Sequence, residues 1–408
     1  MASKRKVTEF QNVAQASLPV TLTEPLVRHA GRYQERWIVA LVLSGFMVSA
    51  CELKQEYRPV NISDVVNRVR QKHQPDKRLA VFQVRYRGGD IVEFGLKGEV
   101  SSQAAKDELF AELKKDFPNR SFKDEIVVLP GPDLGNEPFG IVRNSVAGQY
   151  RESRYASELV NQALMGTPLR LLKKSEGWFL VQMPDGYLGW MPGGYFVRGS
   201  EEWLKAWQAK PKVVVDRLFD IIHSRPSMDS PVLSDVVRGC LLAKIGTKDG
   251  WGEVETPDGR RGFLESKAVI EESALTAKKA GATDLEATAQ SMLGFPYVWG
   301  GTSTKGMDCS GFTLLVFRFN NLVLPRDADM QSNAGQPVDI KAGIDPLQKG
   351  DLLFFGASEE KITHVGIYLG EGRFIHSSGC VKINSLKEGD ADYSAERRAS
   401  LRQARRFL

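Results

Sequence analysis

Three side chains in the last quarter of the chain could together carry out nucleophilic thiol chemistry. Cys309 precedes an apolar helical pattern, and His364 and His376, two of the five histidines in the chain, lie on predicted strands downstream. In such an arrangement one imidazole takes the thiol proton and later protonates the leaving amine, while another polar group orients that imidazole. Two histidines on adjacent strands could also stack within a core, so the residue types alone leave a structural role open.

The elements predicted around Cys309 bear on the reactivity of its thiol. Apolar residues recur at helical spacing directly after it, at Phe312, Leu315, Val316 and Phe319. Because free backbone N–H groups and the helix dipole stabilise an anion at a helix start, we expect a lowered thiol pKa and a nucleophilic thiolate. His364 and His376 fall in strand patterns over 363–368 and 373–377.

A 73-residue internal repeat lies upstream of this region. Gly-Trp, Pro-Asp-Gly and later Gly positions recur at the same offset, as in Gly166/Gly239, Trp178/Trp251 and Gly186/Gly259. Short strands divided by such turns are typical of a small barrel. Both copies resemble bacterial SH3 (SH3b) domains, predicted over 138–200 and 209–272.

Five motifs in the last 126 residues resemble, in order, those of the NlpC/P60 family of cell-wall cysteine peptidases. They are Pro296-Tyr297-Val298-Trp299-Gly300-Gly301, Asp308-Cys309-Ser310-Gly311-Phe312, Lys349-Gly350-Asp351-Leu352, Thr363-His364-Val365-Gly366-Ile367-Tyr368 and Phe374-Ile375-His376. The resemblance covers 283–408 and implies an α+β, papain-like catalytic domain without cofactor or metal. It also implies hydrolysis of γ-D-glutamyl–diamino acid bonds in peptidoglycan stem peptides through a thioester.

Carried over residue by residue, the resemblance implies a role for each motif residue. Cys309 would be the nucleophile, His364 the general base and His376 the residue that orients it. Tyr297 and the backbone N–H of Cys309 would stabilise the oxyanion.

Members with preceding SH3b domains are similar to enzymes that require a free L-Ala amino terminus, as in a murein tripeptide. By that resemblance Asp308 and Ser310 would meet the amine, helped by Glu152 and Tyr187 of the first SH3b domain. Carboxylates in a closed pocket suit an ammonium group and reject an acylated amide. Glu152 could instead be a solvated loop charge. Arg326 lies in a further matching segment and is a candidate substrate-binding residue.

The segment before the repeats divides into two parts. Residues 60–129 alternate helical and strand patterns and predict a small α/β domain with a loose likeness to BON-type envelope domains. Residues 1–51 carry arginines, then the apolar stretch 37–50, which is too short for a spanning helix and is typical of an export signal. Val48-Ser49-Ala50-Cys51 resembles a lipobox, so we expect Cys51 to be lipidated. A buried core helix is the alternative, and an early start codon would account for residues 1–25.

Composition excludes several other classes of protein. The net charge of +5, from 55 Lys and Arg against 50 Asp and Glu, is too weak to require a nucleic-acid partner. Four widely separated cysteines exclude a disulfide scaffold and a CxxC zinc ribbon. The family resemblance and the lipobox-like segment together imply a lipoprotein of the bacterial cell envelope that acts on peptidoglycan peptides.

Three alternatives remain open at the level of sequence. The chain could be a non-catalytic wall-binding protein in which the SH3b domains do the work. It could also be a thiol acyltransferase or amidase that uses the same residues. A zinc site would gather Cys309, His364, His376 and Cys380.

Overall fold

The computed structural model describes residues 61–88 and 93–408. The leader predicted over 1–51 and the lipidation site Cys51 lie outside these residues. Within the described part of the chain, no helix has the length and apolar character needed to cross a membrane.

The first described unit packs two helices on a three-stranded sheet. Its elements are α1 Ile62–His73, β1 Phe82–Gly88, β2 Glu93–Val100, α2 Gln103–Asp116 and β3 Ser121–Val128. Strand β2 pairs antiparallel with β1 and parallel with β3. Before β1, Leu79 donates its N–H to the Asp76 carbonyl (3.1 Å) and belongs to a turn. The likeness to BON-type domains stays a prediction.

The 73-residue sequence repeat is also a repeat of structure. The first seven-stranded sheet contains β4 Phe139–Val142, β5 Val146–Tyr150, β6 Leu159–Leu164, β7 Pro168–Ser175, β8 Trp178–Gln182, β9 Leu188–Pro192 and β10 Phe196–Gly199. Helix α3 Glu201–Ala209 leads to the second sheet, which contains β11 Lys212–Val215, β12 Phe219–His223, β13 Val232–Val237, β14 Leu241–Lys248, β15 Trp251–Glu255, β16 Arg261–Glu265 and β17 Val269–Glu271. The strand orders, β10-β4-β7-β8-β9-β5-β6 and β17-β11-β14-β15-β16-β12-β13, correspond strand for strand.

The same tight turn closes one hairpin in each copy. Glu176 and Gly177 have φ of 46° and 84°, and Asp249 and Gly250 have φ of 51° and 80°. Positive φ at both central residues is the geometry of a type I′ turn, whose twist matches that of the strands it joins. The repeated Gly before each Trp is therefore required by the backbone of the hairpin.

The remaining residues form a mixed helical and sheet domain. The helices are α4 Glu272–Thr276, α5 Ala282–Gln290, α6 Cys309–Arg318, α7 Ala328–Gln331 and α8 Ala395–Ser400. The strands are β18 Thr302–Ser303, β19 Gly306–Met307, β20 Gln336–Val338, β21 Leu352–Ser358, β22 Lys361–Gly370, β23 Arg373–Ser378, β24 Cys380–Ser385 and β25 Leu401–Arg406. The last six pair antiparallel in the order β20-β25-β21-β22-β23-β24.

Helix α6 is the central element of this domain. It is apolar on nearly every face and buried from residue 309 to 317, as expected of a helix enclosed by its neighbours. Phe312, Leu315 and Val316 share a core with Leu352 and Val365 of the sheet. The predicted α+β, papain-like architecture, with a helix packed on an antiparallel sheet, is confirmed.

Candidate active site

Cys309 is the first residue of helix α6, as predicted. Asp308 caps the helix, and its Oδ1 accepts a hydrogen bond from the Gly311 N–H at 2.7 Å. Cys309 is buried, with 7% of its surface exposed. The nearby backbone amides of Ser310 and of Val365, the residue after His364, act to lower the pKa of its thiol. These contacts join the helix start to strand β22.

The expected lowering of the thiol pKa is wrong. Burial raises the pKa of Cys309 to about 11, and the neighbouring Asp308 carboxylate acts in the same direction. The two backbone amides and Arg326 oppose this rise without cancelling it. The resting cysteine is therefore a thiol, and a base must take its proton before or during attack.

A chain of hydrogen bonds joins both histidines to an asparagine on the next strand. His364 Nε2 lies 2.7 Å from His376 Nδ1, and His376 Nε2 lies 2.9 Å from Asn384 Oδ1. Asn384 Nδ2 donates to the Asp392 carbonyl at 2.9 Å, which turns its oxygen toward His376. Sequence reasoning missed Asn384, for which the only signal was its place one strand beyond His376.

This chain of bonds determines the tautomer of each ring. Asn384 Oδ1 can only accept, so His376 carries its proton on Nε2 and accepts at Nδ1. His364 must then donate from Nε2, which leaves the lone pair on its Nδ1. Burial lowers the pKa of His364 well below its usual value and that of His376 to about 4. A neutral His364 with a free Nδ1 lone pair has the form that a general base requires.

The buried neutral histidines predict a loss of stability in acid. Between pH 6.5 and 4 the unfolded chain binds a proton at His376 that the folded chain does not bind, so the free energy of unfolding falls as the pH falls. For a pKa of about 4 the contribution of His376 is about 3 kcal/mol. Urea unfolding at pH 7 and pH 4.5 should show this loss, and a His376→Gln variant should lose less. An equal loss in both proteins would contradict the prediction.

A cavity of about 320 Å³ opens over Cys309. Tyr297 and Asp308 line it from the catalytic domain, and Tyr187 lines it from the first repeat, as the sequence predicted. Burial, followed by the neighbouring Cys309 and Asp308, raises the pKa of Tyr297 to about 12. Its phenol therefore keeps its proton at neutral pH and can donate a hydrogen bond.

Asp308 and Ser310 line the cavity, but a hydrogen-bond network with Arg326 holds both side chains. Asp308 Oδ2 accepts from the Gly300 N–H (3.0 Å) and Arg326 Nη2 (2.6 Å). Its Oδ1 accepts from the Gly311 N–H, Ser310 Oγ and Arg326 Nη1. Ser310 Oγ in turn accepts from Arg326 Nη1 at 2.9 Å. Five donors surround one carboxylate, which has about four lone-pair sites, so neither oxygen of Asp308 is left without a hydrogen bond.

Asp327, next to Arg326, also lines the cavity, and among the described residues only one of its two oxygens accepts hydrogen bonds. Its Oδ2 accepts from Tyr187 Oη (3.0 Å) and Arg78 Nη1 (2.8 Å). Among the described residues, its Oδ1 has one charged neighbour, Arg326 Nη1 at 3.7 Å, which is beyond hydrogen-bond distance. Burial raises the pKa of Asp327, while Arg326 and Arg78 act against this rise. An ammonium group could bind at Oδ1.

Glu152 lies outside the cavity, contrary to expectation. Its side chain is 58% exposed and pairs with Arg154, because both lie in the bend between β5 and β6. Glu158, at the end of the same bend, lines the cavity instead and accepts from Trp299 Nε1 at 2.9 Å. The solvated-loop alternative for Glu152 agrees with this position.

The zinc alternative has no geometric support in the described residues. Across 61–88 and 93–408, no group of three or more His, Cys, Asp and Glu side chains is arranged to hold a metal ion. Cys380 forms an isolated bridge with Pro296 at the start of β24.

Two family profiles match the chain in the regions described above. The profile of the NlpC/P60 family matches residues 294–398, and that of the bacterial dipeptidyl-peptidase SH3 domain matches residues 150–193. The predicted likeness to NlpC/P60 peptidases with a bacterial SH3 domain is therefore confirmed.

Curated proteins and a solved structure agree with these matches. The γ-D-glutamyl-L-lysine dipeptidyl-peptidase of Bacillus subtilis is 32% identical over 53% of this chain and 71% of its own length. Dipeptidyl-peptidase 6 of Lysinibacillus sphaericus is 30% identical over 61% of this chain and 92% of its own length. The crystal structure of an NlpC/P60 family protein from Bacillus cereus covers 66% of this chain and 99% of that chain, with 25% identity and a TM-score of 0.59. This chain belongs to the NlpC/P60 family of peptidases.

Proposed function

We propose that this protein is a cysteine peptidase that hydrolyses the γ-D-glutamyl–diamino acid bond of peptidoglycan stem peptides with a free amino-terminal L-Ala. The observation that carries the proposal is the cavity lined by both Cys309 and Asp327. Cys309 supplies a thiol, and Asp327 supplies a carboxylate oxygen, Oδ1, that has no hydrogen bond among the described residues. A substrate held at Asp327 by its ammonium group would extend toward Cys309. The names of the relatives from Bacillus subtilis and Lysinibacillus sphaericus support a dipeptidyl-peptidase activity.

The first step would be attack of the Cys309 sulfur on the γ-carbonyl carbon of D-Glu. His364 takes the thiol proton at Nδ1 as the S–C bond forms, and its ring gains a positive charge. His376 and Asn384 would support this charge, since both act through the hydrogen bond at His364 Nε2. The raised pKa of the thiol is consistent with proton transfer during attack rather than with a preformed thiolate.

The negative charge would develop on the carbonyl oxygen of the tetrahedral intermediate. The backbone N–H of Cys309, at the start of helix α6, and the protonated phenol of Tyr297 are the proposed donors. Collapse of the intermediate breaks the C–N bond, and His364 gives its proton to the leaving amine. The thioester on Cys309 is then hydrolysed by water, which His364 activates in turn.

The amine site would be built from Asp327 rather than from Asp308. Asp327 Oδ1 is open, whereas both oxygens of Asp308 accept hydrogen bonds. An acylated nitrogen has no positive charge and would leave the buried carboxylate unpaired, which opposes binding. This difference would restrict the enzyme to stems with a free L-Ala.

Cell-wall hydrolases among the relatives, such as the probable peptidoglycan endopeptidase LytE of Bacillus subtilis, support a peptidoglycan substrate and a place in the cell envelope. The proposal also includes a lipid anchor at Cys51. The diamino acid at the third stem position is diaminopimelate or lysine.

The test is mass spectrometry of peptides incubated with the purified protein. The substrates are L-Ala-γ-D-Glu-L-Lys, its diaminopimelate counterpart, their N-acetylated forms and intact peptidoglycan. We expect L-Ala-γ-D-Glu and the free diamino acid from the unmodified tripeptides alone. The Cys309→Ala protein is the control for contaminating peptidases.

Two other outcomes would change the proposal. Release from N-acetylated tripeptides or intact peptidoglycan at a similar rate would leave the peptidase chemistry and remove the amine site. The absence of any product that depends on Cys309 would favour a wall-binding protein or a thiol acyltransferase.

A further inference from the structure

A loop of the amino-terminal unit, residues 61–129, reaches the proposed active site. Arg78 lies between α1 and β1 and lines the cavity over Cys309. Its Nη1 donates to Asp327 Oδ2 at 2.8 Å, across a separation of 249 residues. No part of the mechanism described above uses this unit.

Arg78 is held by three carboxylates. Its Nη1 and Nη2 donate to Asp329 Oδ1 and Oδ2 at 2.8 and 2.7 Å, a bidentate pair. Its Nε and Nη2 donate to Asp76 at 3.0 and 2.6 Å. Planar bidentate pairing of this kind orients both partners as well as attracting them. Arg78 is therefore a rigid part of the cavity wall, with its side chain only 26% exposed.

The loop that carries Arg78 is docked on the first repeat beside Tyr187. The Leu188 N–H donates to the Arg78 carbonyl at 2.7 Å, and Gln182 Nε2 donates to the Leu79 carbonyl at 3.1 Å. An apolar cluster continues this contact beneath the loop. Its members come from the unit, the segment that follows it and the repeat: Val81, Leu129, Leu172, Leu180, Leu188 and Trp190. The unit is thus packed on the repeat next to the cavity.

We propose that Arg78 is a positioning residue that sets the specificity of the active site for a free amine. This inference rests on the proposed function. Arg78 and Tyr187 both hold Asp327 Oδ2, so Oδ1 is the oxygen that remains for the ammonium group of the substrate. Arg78 also separates the charges of Asp327 and Asp329, since its guanidinium bonds to both.

Removing Arg78 should reduce the preference for a free amine. The experiment compares the full chain with its Arg78→Ala and Arg78→Lys variants on L-Ala-γ-D-Glu-L-Lys and the N-acetylated tripeptide. For Arg78→Ala we expect KM for the free tripeptide to rise about 10-fold or more, the size of one lost charged hydrogen bond. We expect kcat to stay within about 3-fold, because Arg78 does not touch the reacting atoms. The ratio of kcat/KM for free over acetylated substrate should fall at least as far as KM rises.

The matched control is Arg68→Ala. Arg68 lies on α1 of the same unit and pairs with Glu112 and Asp116 at 2.9 and 2.8 Å, so this variant removes the same charge from a more exposed ion pair that does not involve Asp327. Its substrate preference should equal that of the wild-type protein. The Arg78→Lys variant keeps the positive charge but cannot form the bidentate pair. Its preference for the free over the acetylated tripeptide should lie between those of the wild type and Arg78→Ala.

Three results would overturn the inference. An unchanged preference in Arg78→Ala would make Arg78 a structural ion pair only. A lower KM in that variant would mean that Arg78 competes with the substrate for Asp327. If Arg78→Ala unfolds at a lower temperature than Arg68→Ala, the Arg78→Lys variant is used as the test instead. A wild-type preference for the free amine in Arg78→Lys would then overturn the inference. A wild-type protein that cleaves none of these peptides would instead overturn the proposed function itself.

Discussion

Replacing Cys309 with alanine should lower kcat/KM for the free tripeptide by at least about 10⁴-fold. The variant keeps the cavity and the amine site but has no atom that can form the thioester, so the whole covalent route is lost. Steady-state release of L-Ala-γ-D-Glu measures the effect. Binding of the tripeptide to the variant, measured by calorimetry, should persist, because Asp327 and Tyr187 are untouched.

The control for this prediction is Cys380→Ala, which removes a second, partly exposed free thiol from the same domain. It should keep activity within about 2-fold of the wild type. His364→Ala should cost nearly as much as Cys309→Ala, and the double variant should be no worse than either one, since residues that act as a unit are not additive. Residual activity in Cys309→Ala above about 1% of the wild type would contradict the assignment of the nucleophile.

Replacing Arg326 with methionine should destabilise the folded protein by about 3–5 kcal/mol. The Arg326 side chain is 1% exposed and pairs with the buried Asp308 carboxylate at 2.6 Å. Its removal leaves a buried negative charge without its counterion, which is far more costly than the loss of a surface pair. Urea unfolding midpoints at constant m-value measure the change.

Arg373→Ala provides the comparison for this prediction. Arg373 pairs with Asp392 at 2.9 Å in the same domain, but its side chain is 55% exposed. Its loss should cost less than about 1 kcal/mol, because solvent screens an exposed pair. A combined Asp308→Asn and Arg326→Met variant should recover part of the stability lost in Arg326→Met. Equal effects of Arg326→Met and Arg373→Ala would contradict the role given to burial.

Much of the catalytic architecture was predictable because it is encoded locally. A capping aspartate followed by apolar residues at helical spacing begins helix α6 at Cys309, and alternating strands carry His364 and His376. The 73-residue offset likewise predicted two equivalent barrels, since each strand and turn in a copy depends on residues near it. Strand ends were less predictable. The first strand begins at Phe82, and the residues before it form a turn that bonds to Leu188 of the first repeat, a contact that the local pattern does not reveal.

The sequence by itself predicted most of the helices and strands around the site, and it predicted Cys309, His364 and His376 as the catalytic residues. Only the tertiary structure decided how those groups behave. Burial beneath β22 reverses the expected shift of the Cys309 pKa. Arg326 donates hydrogen bonds to the Asp308 carboxylate. Tyr187 and Arg78 donate to only one oxygen of Asp327, which leaves its other oxygen for a ligand. Helix caps and periodicity act over a few residues, whereas desolvation and ion pairing depend on which distant segments meet.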